Sequence, residues 1–186
     1  TKFTTDTGEI DTDADIYLLA VNDQSLPVLN RQLRLGKRVV AHTAGAVPME
    51  AISAISKNTG VIYPLQTIRK EIKTSYDIPV LLEANNAETL KRLQTVAEAI
   101  GEQITVLSSA ERLKLHLAAT FCNNFMNHLA AMIKEYCERE SLDFRLLHPL
   151  LGETFERIIK SDPRKIQTGP AARKDQITME AHRQLM

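Results

Sequence analysis

Short apolar runs and helical stripes alternate along the first half of the chain. Residues Ile16-Tyr17-Leu18-Leu19-Ala20-Val21 are continuously apolar. Such a run suits a parallel strand covered on both faces. Asn22 and Asp23 end it, and a short helical pattern follows through Leu26, Leu29 and Leu33. Gly36 is expected to close that helix, as a left-handed C-terminal residue does. Val39 to His42 predicts a second strand, and Thr43-Ala44-Gly45 a turn. Pro48 suits a first helical position, so a helix is expected over 48–58, ending before Gly60. Val61-Ile62-Tyr63 predicts a third strand, stopped by Pro64. Residues 66–77 are polar without periodicity and read as a loop. Pro79 to Glu83 predicts another strand. Asn85-x-x-Glu88 has the form of a capping box opening a helix over 86–100, with Gly101 after it. Ile104 to Leu107 predicts a last strand. Alternation of this kind is the signature of an α/β parallel sheet.

The pattern then changes. Ser108-x-x-Glu111 is a second capping-box sequence, and no Gly or Pro occurs from there to about residue 140. A long helix is expected. Asp143 can cap another over 144–160, Asp162-Pro163 can start a short one, Thr168-Gly169-Pro170 breaks the chain, and 175–186 is helical again. The boundary between an α/β part and an all-α part therefore falls near residue 109.

The strand ends are the first candidate site, because ligands of open α/β sheets bind beyond the carboxyl ends of the strands. Those ends carry Ala20-Val21-Asn22-Asp23, His42-Thr43-Ala44-Gly45 and Pro64-Leu65-Gln66-Thr67. Turn residues end strands in any protein, so position is the only argument here. The long helix is the second candidate. His116, Thr120, Asn123, Asn124, Asn127 and His128 share an arc of roughly 140° at helical spacing. Leucines, alanines and phenylalanines surround them, which predicts a buried helix. A buried polar stripe needs hydrogen-bond partners, and clustered asparagines are poor helix formers. A ligand or domain cleft, a subunit interface and plain solvent are the three ways to satisfy it. Gln167 to Arg173 is the third candidate: Gly169 and Pro170 fix a tight loop, and Arg173 offers a planar fork to a carboxylate or phosphate.

Composition narrows the chemistry. Lys+Arg and Asp+Glu are each 23, giving no net charge, which argues against a general nucleic-acid binder. No apolar run approaches the ~18 residues of a membrane span, and the polar first residues do not form a signal peptide. Cys122 and Cys137 are expected to be free thiols in a reducing compartment, with Cys122 in the core. The five histidines show no metal spacing. The seven glycines contain neither G-x-G-x-x-G nor a P-loop.

Four segments together carry a resemblance: Ala41-His42-Thr43-Ala44-Gly45-Ala46, Tyr63-Pro64-Leu65-Gln66-Thr67, His116-Leu117-Ala118-Ala119 on to Asn124-Phe125, and Gln167-Thr168-Gly169-Pro170-Ala171-x-Arg173. In this order they resemble the bacterial Rossmann-like NADP oxidoreductases with a C-terminal helical domain of unassigned function. These stand near the deazaflavin-dependent NADP oxidoreductases and the pyrroline-5-carboxylate reductases. The resemblance implies a partial Rossmann-type parallel sheet in residues 1–108, part of a dinucleotide-binding domain without its glycine-rich loop. It implies an all-α dimerisation or substrate domain in 109–186, with further chain before Thr1 and after Met186. Ala20, Val21, Asn22, His42 and Thr43 would line the nicotinamide side of NADP or NAD. Pro64, Gln66 and Arg173 would meet substrate. His116 would act as acid or base, imidazole ordinarily titrating near neutrality, and Asn124 would hold the substrate oxygen or nitrogen. The function implied is hydride transfer to or from a small carbonyl or imine compound by a cytoplasmic homodimer, paired through the helical domain, without nucleic acid, membrane or metal. The absence of a clear acid–base constellation motivates the alternative, a non-catalytic nucleotide-sensing or dimerising module.

Overall fold

The computed structural model describes residues 4–68 and 77–185. The chain divides into two compact units, residues 1–126 and 127–186.

The first unit is built on a sheet of five strands: β1 (Ile16–Leu19), β2 (Gly36–His42), β3 (Ser56–Pro64), β4 (Val80–Ala84) and β5 (Ile104–Val106). They stand side by side in chain order. β1, β2 and β3 run parallel, and β4 pairs with β5 in parallel. The β3–β4 pair is antiparallel, with Val61 opposite Glu83 and Tyr63 opposite Leu81. The sheet is thus mainly parallel, as a Rossmann-like sheet is, with one reversal at its centre. Because of that reversal, the ends of β1–β3 and the start of β4 lie on one edge.

Each face of the sheet has its own core. α1 (Leu26–Gln32) and the 3-10 turn Met49–Ile52 serve one face. There Leu19, Leu26, Val40, Ile52 and Ile55 are buried together. α2 (Ala87–Ala97) serves the other, where Leu93 and Ala97 pack on Val39, Ala41, Ile62, Val80 and Leu82. Each large aliphatic side chain so buried contributes about 1.5–3 kcal/mol. Gly60 lets α2 approach: a Cβ there would collide with Leu93 and come within 2.5 Å of the Glu83 carbonyl oxygen.

Several local expectations are corrected. The helix expected over 48–58 is a single 3-10 turn, Met49–Ile52, followed directly by β3 from Ser56. Its polar opening, Ser56-Lys57-Asn58-Thr59, is held as strand by side chains. Ser56 Oγ donates to the Gly36 carbonyl at 3.2 Å and to that of Arg38, and Asn58 Nδ2 donates to the Lys37 carbonyl at 2.6 Å. Gly36 does not close α1, which ends at Gln32; its φ of +61° opens β2 instead. The cap of α2 is Asn86, whose side chain accepts from Thr89 N at 2.9 Å. Asn85 Oδ1 accepts from Thr59 N at 3.2 Å and ties the strand end to β3 instead. Around Pro163 the chain makes one turn rather than a helix, with Lys165 N donating to the Asp162 carbonyl at 3.0 Å.

The expected long helix is α3 (Ser109–Thr120), a π-helical stretch (Phe121–Phe125) and α4 (Met126–Arg139) in succession. Ser108 and Glu111 form the full capping box at its start. It is not the buried apolar helix that its composition suggests. Leu113, Leu117, Phe121 and Phe125 are exposed, whereas Arg112 is only 1% exposed. The physical reason is that Arg112 and His116, not the leucines, meet the sheet.

The second unit contains α4 from Asn127, a 3-10 turn (Phe144–Leu147), α5 (His148–Lys160) and α6 (Gln176–Leu185). α4 stops at a left-handed Ser141, φ 57°. Asp143 accepts from Arg145 N and so caps the 3-10 turn that leads into α5. Asp175 accepts from Thr178 N at 3.1 Å at the start of α6. Cys137 is its one buried hydrophobic among the described residues, while Met132, Leu146, Leu150, Ile159 and Ile177 are more than half exposed. Among the described residues, no helix is long and apolar enough to cross a membrane.

Candidate active site

α3 is anchored on the sheet face by charge. Glu83 projects from β4 beside the start of α3. It accepts from Ser109 N at 2.9 Å and Ser109 Oγ at 2.7 Å, and pairs with the Arg112 guanidinium. Arg112 Nη2 also donates to the Val47 carbonyl at 2.6 Å. Met49 N donates to Ser109 Oγ at 3.0 Å. The segment after β2 is therefore clamped to α3 by a buried pair. Such a pair fixes geometry more surely than it adds stability.

One turn further along α3, His116 reaches the edge where β3 ends. Its Nδ1 lies 3.0 Å from Tyr63 Oη, and the rings meet edge to face with centroids 5.7 Å apart. Gly45 makes room for both. A Cβ there would collide with the imidazole and come within 2.8 Å of Tyr63 Cζ. Burial raises the Tyr63 phenol above its ordinary value, and the negative charge of Asp23 adds to this. The hydroxyl therefore keeps its proton across the neutral range.

The helix continues past His116 into the π-helical stretch, which carries Cys122, Asn123 and Asn124. Single π turns inside α-helices occur frequently at functional sites. Asn123 Nδ2 donates to Thr67 Oγ1 at 2.8 Å and to Asn124 Oδ1 at 2.9 Å. This fastens the helix to the segment after β3. Tyr63, Gln66, Thr67, His116, Asn123 and Asn124 line one open cavity of about 370 Å³, completed by Leu65, Ala119, Thr120 and Cys122. A hollow of about 490 Å³ lies at the other edge of the sheet, between Arg34, Gly36, Ser53, Lys57 and Asn85. It is wider, but Asn85 there is committed to backbone groups of Lys57 and Thr59, and it contains no pair suited to proton transfer. The smaller cavity is the candidate site.

The expected site residues are distributed as follows. His116, Asn124 and Gln66 come together in the cavity. Pro64 is half-buried at the end of β3. Ala20, Val21 and Asn22 are exposed beyond β1. Asn22 Oδ1 accepts from Ser25 N and Ser25 Oγ. Thr43 is half-buried after β2. His42 is 0% exposed, and its Nδ1 accepts from Ala44 N at 3.2 Å. Burial first, then the Arg112 charge, lowers its pKa from 6.5 to about 4 against the pull of the Pro48 carbonyl, Glu83 and Asp23. The ring is neutral and structural, and only its backbone is at the strand end. Arg173 is exposed in the second unit, its backbone N–H turned to the Gly169 carbonyl at 3.3 Å. Cys122, expected in the core, is exposed, while Cys137 is buried; both are free.

Tyr63 and the Glu83–Arg112 clamp were not expected as functional groups, whereas Thr67 and Asn123 belong to the candidate strand end and helix stripe named from the sequence. Arg112 sits four residues before His116 on the same helical stripe, and that spacing was the available signal. Glu83 was visible as a carboxylate at the end of an apolar strand.

Residues 78–186 match the family described as a domain of unknown function, DUF2520. No curated protein matches the chain. Among solved structures, it is similar to the putative NADP oxidoreductase BF3122 from Bacteroides fragilis, with 31% identity and a TM-score of 0.86 over 96% of this chain and 71% of that one. It is also similar to protein TM1727 from Thermotoga maritima, with 26% identity and a TM-score of 0.72 over 90% of this chain and 68% of that one. The 1-pyrroline-5-carboxylate reductase of Streptococcus pyogenes shares the fold, at 12% identity and a TM-score of 0.58 over 88% of this chain and 62% of that one.

Proposed function

The chain belongs to the family described as domain of unknown function DUF2520, and we propose that it serves an NAD(P)-dependent oxidoreductase acting on a small carbonyl or imine compound. The observation that carries this reading is the Tyr63–His116 pair, held at the carboxyl end of β3 in a cavity it shares with Asn123 and Asn124. That edge is where ligands of open α/β sheets bind. The similarity to the Bacteroides fragilis protein supports the choice of NADP, with NAD as the other candidate.

The residues present fit the nicotinamide end of such a cofactor. Asn22 commits its carbonyl oxygen to Ser25, and its amide group donates to no described residue. Ala20, Val21 and Thr43 stand at the same sheet edge and present small or hydrogen-bonding groups. His42 contributes through its backbone. The chain has no G-x-G-x-x-G, so these residues would meet the nicotinamide and not the phosphates. Bound NADP or NAD would supply or accept hydride. His116 gives a proton to the substrate oxygen or nitrogen on reduction and takes it back on oxidation. Asn124 and Gln66 hold that same heteroatom and its neighbours, and Pro64 shapes the wall.

The protein works in the cytoplasm as a homodimer joined through its helical part. Exposed Leu146, Leu150, Ile159 and Ile177 support the pairing, since a second copy would take large apolar side chains such as these out of water. Residues 1–108 act as the cofactor side and 109–186 as the substrate and dimer side.

The test is NADPH consumption by the full-length protein over a panel of small carbonyl and imine compounds. His116→Ala is expected to lower kcat by about 10²–10⁴-fold. No turnover, together with no NADPH or NADH binding by titration calorimetry, discards the reading.

A further inference from the structure

We infer that Tyr63 is a positioning residue for His116: its hydroxyl donates to Nδ1 and so fixes the imidazole as the tautomer whose proton is on Nε2. This rests on the cavity being the reaction site only for its catalytic consequence; the tautomer stands on geometry alone.

The hydrogen bond itself is 3.0 Å long, between Tyr63 Oη and His116 Nδ1. Its direction follows from the chemistry of the two groups. A phenol is a strong donor and a weak acceptor, while a pyridine-type imidazole nitrogen is among the best acceptors a protein offers. Tyr63 Oη has no other hydrogen bond among the described residues, so donating to Nδ1 is the way its proton is satisfied. The raised phenol pKa agrees, since the hydroxyl keeps the proton that it donates. Once Nδ1 accepts, the neutral ring must carry its proton on Nε2. Nε2 makes no hydrogen bond to the described residues, and His116 lines the cavity. The group offered to a ligand is therefore an N–H donor of set orientation. For carbonyl or imine reduction, that is the nitrogen left to donate a hydrogen bond to the substrate heteroatom, and Tyr63 holds the opposite one.

Three features hold the ring against Tyr63. Gly45, having no Cβ, leaves the space that its Nδ1 side occupies. Arg112, one turn earlier, holds α3 to Val47 and Glu83. Asn123, two turns later, holds it to Thr67. A ring flip would put Cδ2 where Nδ1 stands and leave the Tyr63 hydroxyl without its acceptor.

The experiment is long-range proton–nitrogen correlation NMR on protein labelled with nitrogen-15 at histidine, recorded at pH about 8.5, well above the usual imidazole range. Wild-type His116 should show a pyridine-like Nδ1 and a pyrrole-like Nε2, with Nδ1 shifted as a hydrogen-bond acceptor. Tyr63→Phe removes only the donor and should move Nδ1 toward its free position, leaving the His42 signals in place as evidence of an intact fold. Gly45→Ala, which forces the ring off Tyr63, should move Nδ1 in the same direction. A protonated Nδ1 in the wild type overturns the proposal, and so does an Nδ1 signal that ignores both substitutions. With a substrate in hand, Tyr63→Phe should lower kcat about tenfold with little change in KM, as the loss of a single hydrogen bond felt in the transition state would. The NMR result stands whether or not NADPH is consumed, so failure of the tautomer and failure of the oxidoreductase reading are told apart.

Discussion

His42 and His116 are set apart by packing, the first fully buried and the second lining the cavity. His42 is buried at the end of β2 with Arg112 nearby, which holds its pKa at about 4. Folding therefore excludes a proton that the unfolded ring would accept. The sign is fixed by the direction of the shift. Stability is complete above pH about 6.5, falls as the pH drops, and has lost about 3 kcal/mol from this group near pH 4. Urea unfolding between pH 7.5 and 4 should show that slope, and His42→Leu should flatten it; an unchanged slope in the variant refutes the assignment. Cys122 and Cys137 make a second contrast at this scale. Cys122 is exposed and Cys137 is 4% exposed. A thiol reagent should titrate one group in the native protein and a second only after denaturation. Two rapid reactions would contradict the packing around Cys137.

At the scale of elements, the start of α3 depends on a local signal with a measurable worth. Ser108 accepts from Glu111 N while Glu111 accepts from Ser108 N. Ser108→Ala should cost about 1 kcal/mol, read as a lower midpoint in denaturant with an unchanged slope. A loss within error would mean that the tertiary clamp at Arg112 sets the helix start by itself. This box was legible in the sequence because its two residues are only three apart. The apolar runs of β1, β2 and β4 were legible for the same reason, being continuous and bounded by turn residues. The opening of β3 was not: Ser56, Lys57, Asn58 and Thr59 favour turns, and become strand only through bonds to Gly36, Lys37, Arg38 and Asn85. Nor was the π-helical stretch legible, because Phe121 to Phe125 contains nothing that an ordinary α-helix would refuse. His116 and Asn124 could be named from helical spacing. Tyr63 could not, since its role depends on a contact across 53 residues.

For the whole molecule, the informative mismatch is between composition and exposure. The stripe of α3 that faces the sheet carries Arg112 and His116, and the opposite side leaves Leu113, Leu117, Phe121 and Phe125 open to solvent. A sequence reading assigns leucines to the core by default, which is why the helix was expected to be buried. The proposed homodimer, joined through the helical part, would cover open apolar side chains of the second unit such as Leu150 and Ile159. Sedimentation of the full-length protein should give a dimer, and charged substitutions at Leu150 and Ile159 should shift it to monomer without loss of helical circular dichroism. A monomer at all concentrations would remove the dimer from the proposed function.

The chain-order arrangement of the strands has a kinetic consequence. Each strand pairs with its neighbour in sequence, so every step of sheet assembly closes a short loop, and loop-closure entropy rises only slowly with length. The contacts that make the cleft are of another kind. Arg112 reaches Val47 across 65 residues, and Asn123 reaches Thr67 across 56. They have nothing to bind until the sheet exists. On refolding, the sheet and α2 should protect their amides first, and the cavity should be the last part of the first unit to close.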